Sequence, residues 1–330
     1  MLKLGICSAA QDTRMQRVWR RGAAAATLLL TYSRSREYDA CRFERLMPHI
    51  CASNRVNKIT ARGRFAEFDQ EIQKSLKEVF PSGSRIAVED YAASCGITAT
   101  EWFAVLRREY PNVTFAASDM VLFLIEVRQK ESGGIYILEP DGAPVQYIRP
   151  PFVVSLVRSQ SWFYVVNRRL QHTALHIWKQ HLAPRLRLPA EWNGCYRDSE
   201  WISVPPFTLR MLPLIHPEVL QLSEPGFRIY QHSIFDPLSE PVDVIRTMNI
   251  LNRAYFSEQR LRDAAAAVEA SLKLGGVWIV GRTLRENPPR HDATVFRRLP
   301  RGWNTLARIG AGSEMEALVK GAYRVSGRLL

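Results

Sequence analysis

The sequence predicts a doubly wound α/β fold, in which strands of a mostly parallel sheet alternate with helices packed on both faces. Three observations predict it. A strand, a helix and a second strand follow one another within about thirty residues at 85–117, which is the length of a βαβ unit. The same alternation returns near the C-terminus, at 228–280. Between the two lies a long stretch, 120–225, whose short strands and Pro-rich turns read as an insertion.

Residues 1–80 read as mostly helical. Phe65, Phe68, Ile72, Leu76 and Val79 recur at helical spacing and stop at Pro81-Ser82-Gly83. Arg85–Val88 is a short apolar strand, Ala92–Gly96 a turn of small residues, and Trp102, Val105 and Leu106 mark a helix closed by Pro111-Asn112. Val113–Ala117 is the next strand. Within 120–225, strands are expected at Val121–Val127, Ile135–Leu138 and Val145–Ile148, followed by a helix from Ser161 to about His181. Beyond the insertion, Arg228–Tyr230 and Val242–Ile245 read as strands and Ser257–Leu274 as an Ala-rich helix. Gly275-Gly276 is expected to stop that helix before a buried strand at Val277–Val280. Ala293–Phe296 and Asn304–Arg308 form a candidate antiparallel pair. Gly310–Glu314 lacks the lysine of a phosphate loop and reads as a turn before a terminal helix.

Composition excludes some classes. A 46% hydrophobic, 23% charged chain of 330 residues is globular, and the longest apolar run, Ala23–Tyr32, is half the ~20 residues of a membrane span. The basic stretch Gln16–Arg21 before it lacks a cleavage pattern, so a folded N-terminal helix is expected. Five scattered cysteines without a CxxC pair fit reduced thiols in the cytoplasm. His172 and His176 share a helical face, yet no acidic residue or cysteine completes a metal set, and no metal is assigned. Asn287-Pro288-Pro289-Arg290 reads as a Pro-rich loop. The net charge of +13 fits an anionic substrate or partner, but the basic residues are spread along the whole chain, so nucleic acid is not the favoured one.

The chemistry points to a nucleoside. Ligands of open parallel sheets settle at the carboxyl ends of the strands. A nucleoside there needs compact residues after the first strand, a carboxylate ending the second for the ribose hydroxyls, and a polar turn after the third beside the base. The chain supplies these in order: Asp90 opening a turn with Ala92, Ser94 and Gly96; Asp119, 23 residues after Gly96 (119 − 96); and Ser233 and Ile234 after the strand at 228–230.

This layout resembles class I (Rossmann-like) S-adenosylmethionine-dependent methyltransferases, whose first motif is acid-x-Gly-x-Gly-x-Gly; here Ala92 and Ser94 stand at the first two glycines. The Ala-x-Ser-x-Gly form and the segment Val242–Leu251, with Asn249, are similar to the chemotaxis-receptor methyltransferases, Met248 standing where that group has Arg. Leu272–Gly281 is similar to the widespread Leu-x-Pro-Gly-Gly segment. The resemblance covers about 85–120 and 226–310. It implies a seven-stranded sheet built from 81–119 and 226–330, a helical N-terminal region at 1–80, and an inserted α+β substrate or lid subdomain at 120–225. It further implies S-adenosylmethionine as cofactor, held by Asp90, Ala92, Ser94, Gly96, Asp119, Ser233, Ile234 and Asn249. The acceptor would be a carboxyl or hydroxyl oxygen, or an amine, on an unidentified molecule. His232, Tyr255 and His291 are candidate general bases, none assigned. Two rivals stand beside this reading: a non-catalytic Rossmann-like module, and an enzyme modifying RNA or DNA.

Overall fold

The computed structural model describes residues 4–11, 23–34, 40–55, 57–58, 61–129, 133–157, 162–189, 200–284, 286 and 289–326. The basic stretch at 16–21, Ser161, Cys195, Asn287 and Pro288 lie outside them. In chain order the elements are β1 (Gly5–Ile6), β2 (Ala23–Ala24), α1 (Leu28–Arg34), α2 (Ala40–Leu46), α3 (Ala66–Lys77), β3 (Ala87–Tyr91), α4 (Ile97–Glu109), β4 (Thr114–Asp119), β5 (Phe123–Gln129), β6 (Ile135–Leu138), β7 (Pro144–Arg149) and β8 (Phe152–Ser155). They continue with α5 (Val165–Ile177), β9 (Ile202–Val204), β10 (Phe207–Pro213), α6 (Pro217–Gln221), β11 (Phe227–Gln231), β12 (Val242–Met248), α7 (Glu258–Ser271), β13 (Leu272–Leu284), β14 (Arg290–Leu299), β15 (Gly302–Ile309) and α8 (Met315–Ser326).

The chain folds as two compact units, one formed by Met1–Thr60 with Val121–Gln221, the other by Ala61–Met120 with Leu222–Leu330. The boundary therefore falls near 60, where the sequence places it near 80. Hydrogen bonds explain the difference. The Gln146 side chain donates to the Ala24 carbonyl and accepts from the Ala26 amide, both at 2.9 Å. Gly5 donates to the Pro151 carbonyl at 2.9 Å, and buried Lys58 donates to the Val121 carbonyl at 2.8 Å. None of these pairings between distant segments leaves a periodic trace in sequence.

The first unit is built on a six-stranded antiparallel sheet, β8-β7-β6-β5-β10-β9, beside the parallel pair β1-β2. Helix α5 lays Gln171, Ala174 and, through a π-helical turn at Trp178–Leu182, Trp178 and Leu182 against it.

The second unit carries a seven-stranded sheet in the order β11-β4-β3-β12-β13-β14-β15. The first five strands run parallel, and β14 and β15 close the sheet antiparallel, as the sequence predicts for that pair. Alternate side chains feed two cores. Val88, Phe115, Val244 and Ile279 pack with Trp102 and Leu106 of α4 and Ile72 of α3. Ile245, Trp278, Val280 and Phe296 pack on the other face with Leu261 of α7 and Met315 of α8. Strands covered on both faces read as near-continuous apolar runs, which is why 277–280 was legible.

Two element readings are also corrected. Within 1–80, expected to be mostly helical, β1 and β2 pair as parallel strands, held by backbone bonds such as that from the Ala25 amide to the Ile6 carbonyl. One helix end also moves. The Ala-rich helix starts at its Ser257 cap as predicted but ends at Ser271, three residues early. Leu272 is already extended, buried, and paired with Val242. The register then jumps to Val244 opposite Val277, so Gly275 and Gly276 form a bulge inside β13 instead of a helix stop. A Cβ on Gly276 would sit 2.9 Å from the Lys273 carbonyl oxygen and 3.0 Å from that of Asp243, which is the reason for glycine there.

Candidate nucleoside site

The parallel register lines up the strand ends that matter. Tyr91 on β3 lies opposite Ser118 on β4 and Thr247 on β12, and Ser118 lies opposite Tyr230 on β11. The residues that follow, 92, 119, 231 and 248, therefore share one edge of the sheet.

At that edge the chain turns sharply. Ala92, Ser94 and Gly96 have φ of 58°, 59° and 84°, so every second residue of the turn is left-handed. Glycine takes this region freely and compact unbranched side chains at modest cost, whereas β-branched ones are strained, the physical content of the Ala-x-Ser-x-Gly pattern. The Ala93 amide donates to the Ser118 carbonyl at 2.9 Å and the Gly96 amide to Ala93 at 2.9 Å, tying the turn to β4 before α4 begins. The Ser94 amide donates to Asp119 Oδ2 at 2.9 Å. The turn of compact residues and the carboxylate at the end of the next strand are thus directly joined. The Ser94 hydroxyl is buried and has no hydrogen-bond partner among the described residues.

These dihedrals set an expected outcome. Ala92→Gly and Ser94→Gly should be tolerated or stabilising by up to about 1 kcal/mol, because glycine takes φ near +60° without steric cost. Ala92→Val should cost about 2 kcal/mol, because a β-branched residue is strained there. Urea melts of the three variants check this ordering.

The remaining predicted residues divide. The His232 amide donates to the Asp119 carbonyl at 3.1 Å, which brings the turn carrying Ser233 and Ile234 beside Asp119. Ser233 Oγ accepts from the Phe235 amide, and the Ile234 side chain is buried against Tyr91, Ile245 and Leu251. Asn249, with φ of 64°, follows β12; its amide donates to the Gly281 carbonyl at 2.8 Å and its Oδ1 accepts from the Thr283 amide at 2.6 Å. The end of β12 is thereby clipped to β13.

Asp90, expected at the cofactor, is engaged by a buried arginine. Both of its oxygens accept from Arg246, at 2.8 Å from Nε and 2.6 Å from Nη2, and Arg246 Nη1 reaches Asp69 at 2.7 Å. The guanidinium lies over the Trp102 ring at 4.1 Å. Burial alone would lower the Arg246 pKa, but Asp90 and Asp69 outweigh it and hold the group above its ordinary value. Asp69 is pushed up to about 7 chiefly by burial, against the pull of Arg246. This triad escaped the sequence reading, although one signal was present. An arginine inside the run Val242–Met248 must find a buried partner.

Of the candidate bases, His232 stacks on Tyr91 at 5.7 Å and its Nε2 lies 2.9 Å from the Asp236 carbonyl, an acceptor that requires a proton on that nitrogen. His291 sits between Phe65 and Phe68, and burial first, then Arg64, lowers its pKa. Tyr255 is exposed.

Glu89 is the other residue the sequence left unread. No helix forms between β11 and β12, so a groove of about 740 Å³ opens on the sheet beside Glu89, Ala116, Arg228 and Tyr230. Buried Glu89 accepts from Ser118 Oγ and from the Tyr230 hydroxyl. Burial raises its pKa to about 7, against those two hydrogen bonds. A carboxyl whose folded pKa lies above its unfolded value contributes stability that is fully present below the unfolded value, and loses it as pH rises through the folded one. Glu89→Gln is therefore expected to raise the unfolding midpoint at pH 8, where the penalty removed is on the order of 2–3 kcal/mol. At pH 4 the midpoint should barely move. Thermal melts at the two pH values provide the check.

No family model and no curated protein matches the chain. Solved structures similar to it include CalS10, an amino pentose methyltransferase from Micromonospora echinaspora solved with S-adenosylmethionine bound, at 12% identity over 80% of this chain and 84% of that one, with a TM-score of 0.31. The sugar N-methyltransferase KedS8 from Streptoalloteichus sp. is 14% identical over 79% and 80%, with a TM-score of 0.32. DesVI of Streptomyces venezuelae is 12% identical over 81% and 85%, at 0.31. Likenesses this distant carry no weight in assigning a function.

Proposed function

We propose that the second unit is the cofactor-binding core of an S-adenosylmethionine-dependent methyltransferase of class I, with a doubly wound sheet. The observation that carries this reading is the Ser94 amide on the Asp119 carboxylate, which couples a left-handed turn of small residues to an acid at the next strand end. The buried, unpartnered Ser94 hydroxyl fits a ligand with polar groups at that turn.

In this reading Asp119 accepts hydrogen bonds from the two ribose hydroxyls, and the 92–96 turn lets backbone approach the rest of the nucleoside. Ser233 and Ile234 flank the adenine, with Ile234 supplying its apolar wall from the core. Asn249 lines the floor, held in place by Gly281 and Thr283. Asp90 acts as a positioning residue, gripping Arg246 so that β3 and β12 keep their relative height. When bound, S-adenosylmethionine supplies an electrophilic methyl group on a sulfonium. Transfer then needs a nucleophile held in line, and an ionised carboxylate acceptor needs no base. The acceptor we favour is a carboxyl or hydroxyl oxygen of a small molecule or of a peptide or protein.

Equilibrium dialysis with labelled S-adenosylmethionine tests the reading. Retention by the wild type is expected. Its absence at millimolar donor would overturn the proposal. Label transferred to a fraction of cell extract would eliminate a non-catalytic module, and its ribonuclease or deoxyribonuclease sensitivity would identify a nucleic-acid acceptor.

A further inference from the structure

We propose that the face of the first unit formed by Trp162, Phe163 and the outer side of α5 docks on an anionic membrane surface. The proposal is independent of the nucleoside site. Between Asp141 and Glu191 the sequence holds 49 residues (191 − 141 − 1) without one acidic side chain, yet seven Arg or Lys and three His. At the chain's own frequency of 32 acidic residues in 330, about five would fall there.

Five of these side chains lie along one helix and its continuation. Helix α5 buries Asn167, Gln171 and Ala174, so Arg168, Arg169, His172 and His176 are exposed, and Lys179 continues the row beyond its end. At the head of the helix Trp162 is 66% exposed and Phe163 57%, stacked on each other with ring centroids 4.1 Å apart. Val165 and Val166 beside them are exposed too.

Apolar side chains gathered at a surface mark a place that something covers. Their chemistry selects the occupant. Stacked aromatic rings would suit nucleobases as well as lipid, but valines have no π-face for a base. Aromatic and aliphatic anchors beside a cationic row match the boundary between acyl chains and acidic headgroups. The thirteen residues of α5 are too few to cross a bilayer, so the contact is interfacial.

Flotation of the 330-residue chain tests this. Vesicles of phosphatidylcholine with about 30% phosphatidylserine should carry the protein upward, at least about tenfold better than phosphatidylcholine alone. Raising the salt should weaken this. Both the Trp162→Ala/Phe163→Ala pair and the Arg168→Glu/Arg169→Glu pair should reduce flotation about tenfold with an unchanged thermal midpoint. The charge pair keeps the test decisive if loss of the aromatics perturbs folding. Three results would overturn the proposal: no flotation with anionic vesicles, flotation that both pairs leave intact, or single-stranded RNA displacing the protein from vesicles through these same residues.

Discussion

Asp119→Ala is expected to weaken S-adenosylmethionine retention by about a hundredfold or more. A buried carboxylate accepting from two hydroxyls makes two charge-assisted hydrogen bonds, and losing them costs about 3 kcal/mol or more in affinity. The same substitution strips the Ser94 amide of its acceptor, which loosens the turn by about 1–2 kcal/mol. Asp119→Asn separates the two effects. Its amide oxygen still accepts from Ser94 while the charge is gone, so the turn should keep its stability and binding should fall only about tenfold. Titration calorimetry with the donor, paired with a urea melt of each variant, reads both quantities. Wild-type affinity in the alanine variant would remove Asp119 from the binding site.

Arg246→Met is expected to be the most destabilising single substitution in the second unit, at about 3–5 kcal/mol. Methionine fills the space over Trp102 but leaves the carboxyls of Asp69 and Asp90 buried without a cation. Two buried acids respond by taking up protons, and Asp69 already titrates near 7 with the arginine in place. Removing the cation raises the folded pKa of Asp69 further above its unfolded value. Stability from such groups is present at low pH and lost as pH rises, so the deficit of the variant should be smaller at pH 5 than at pH 8. Adding Asp69→Asn and Asp90→Asn should restore much of the loss, since neutral amides can pair with each other. Urea melts at both pH values check these expectations. A pH-independent deficit would mean that packing, not charge, dominates the site.

The candidate site was legible where local chain chemistry speaks for itself. Ala92, Ser94 and Gly96 are small because their backbone is left-handed, and a left-handed turn after an apolar strand is a local signal. Asp119 was legible by its distance from that turn along a βαβ unit. Asp90 was singled out as the acid opening the turn, but its partner was not, because Arg246 lies 156 residues away and their pairing depends on β3 lying beside β12. Glu89 was invisible for a related reason. Its raised pKa comes from burial, and burial of a strand acid depends on which neighbours cover it.

By itself, then, the sequence determined the alternation of apolar strands and amphipathic helices, the compact turn and the acid that follows it, because each depends on residues close together along the chain. Tertiary structure alone decided that the first sixty residues join the 121–221 segment, that Gly275 and Gly276 bulge within a strand, and that Arg246 satisfies two acids at once. Those outcomes rest on hydrogen bonds and desolvation between segments tens to hundreds of residues apart. Only the assembled sheet brings those partners within reach and excludes water from around them.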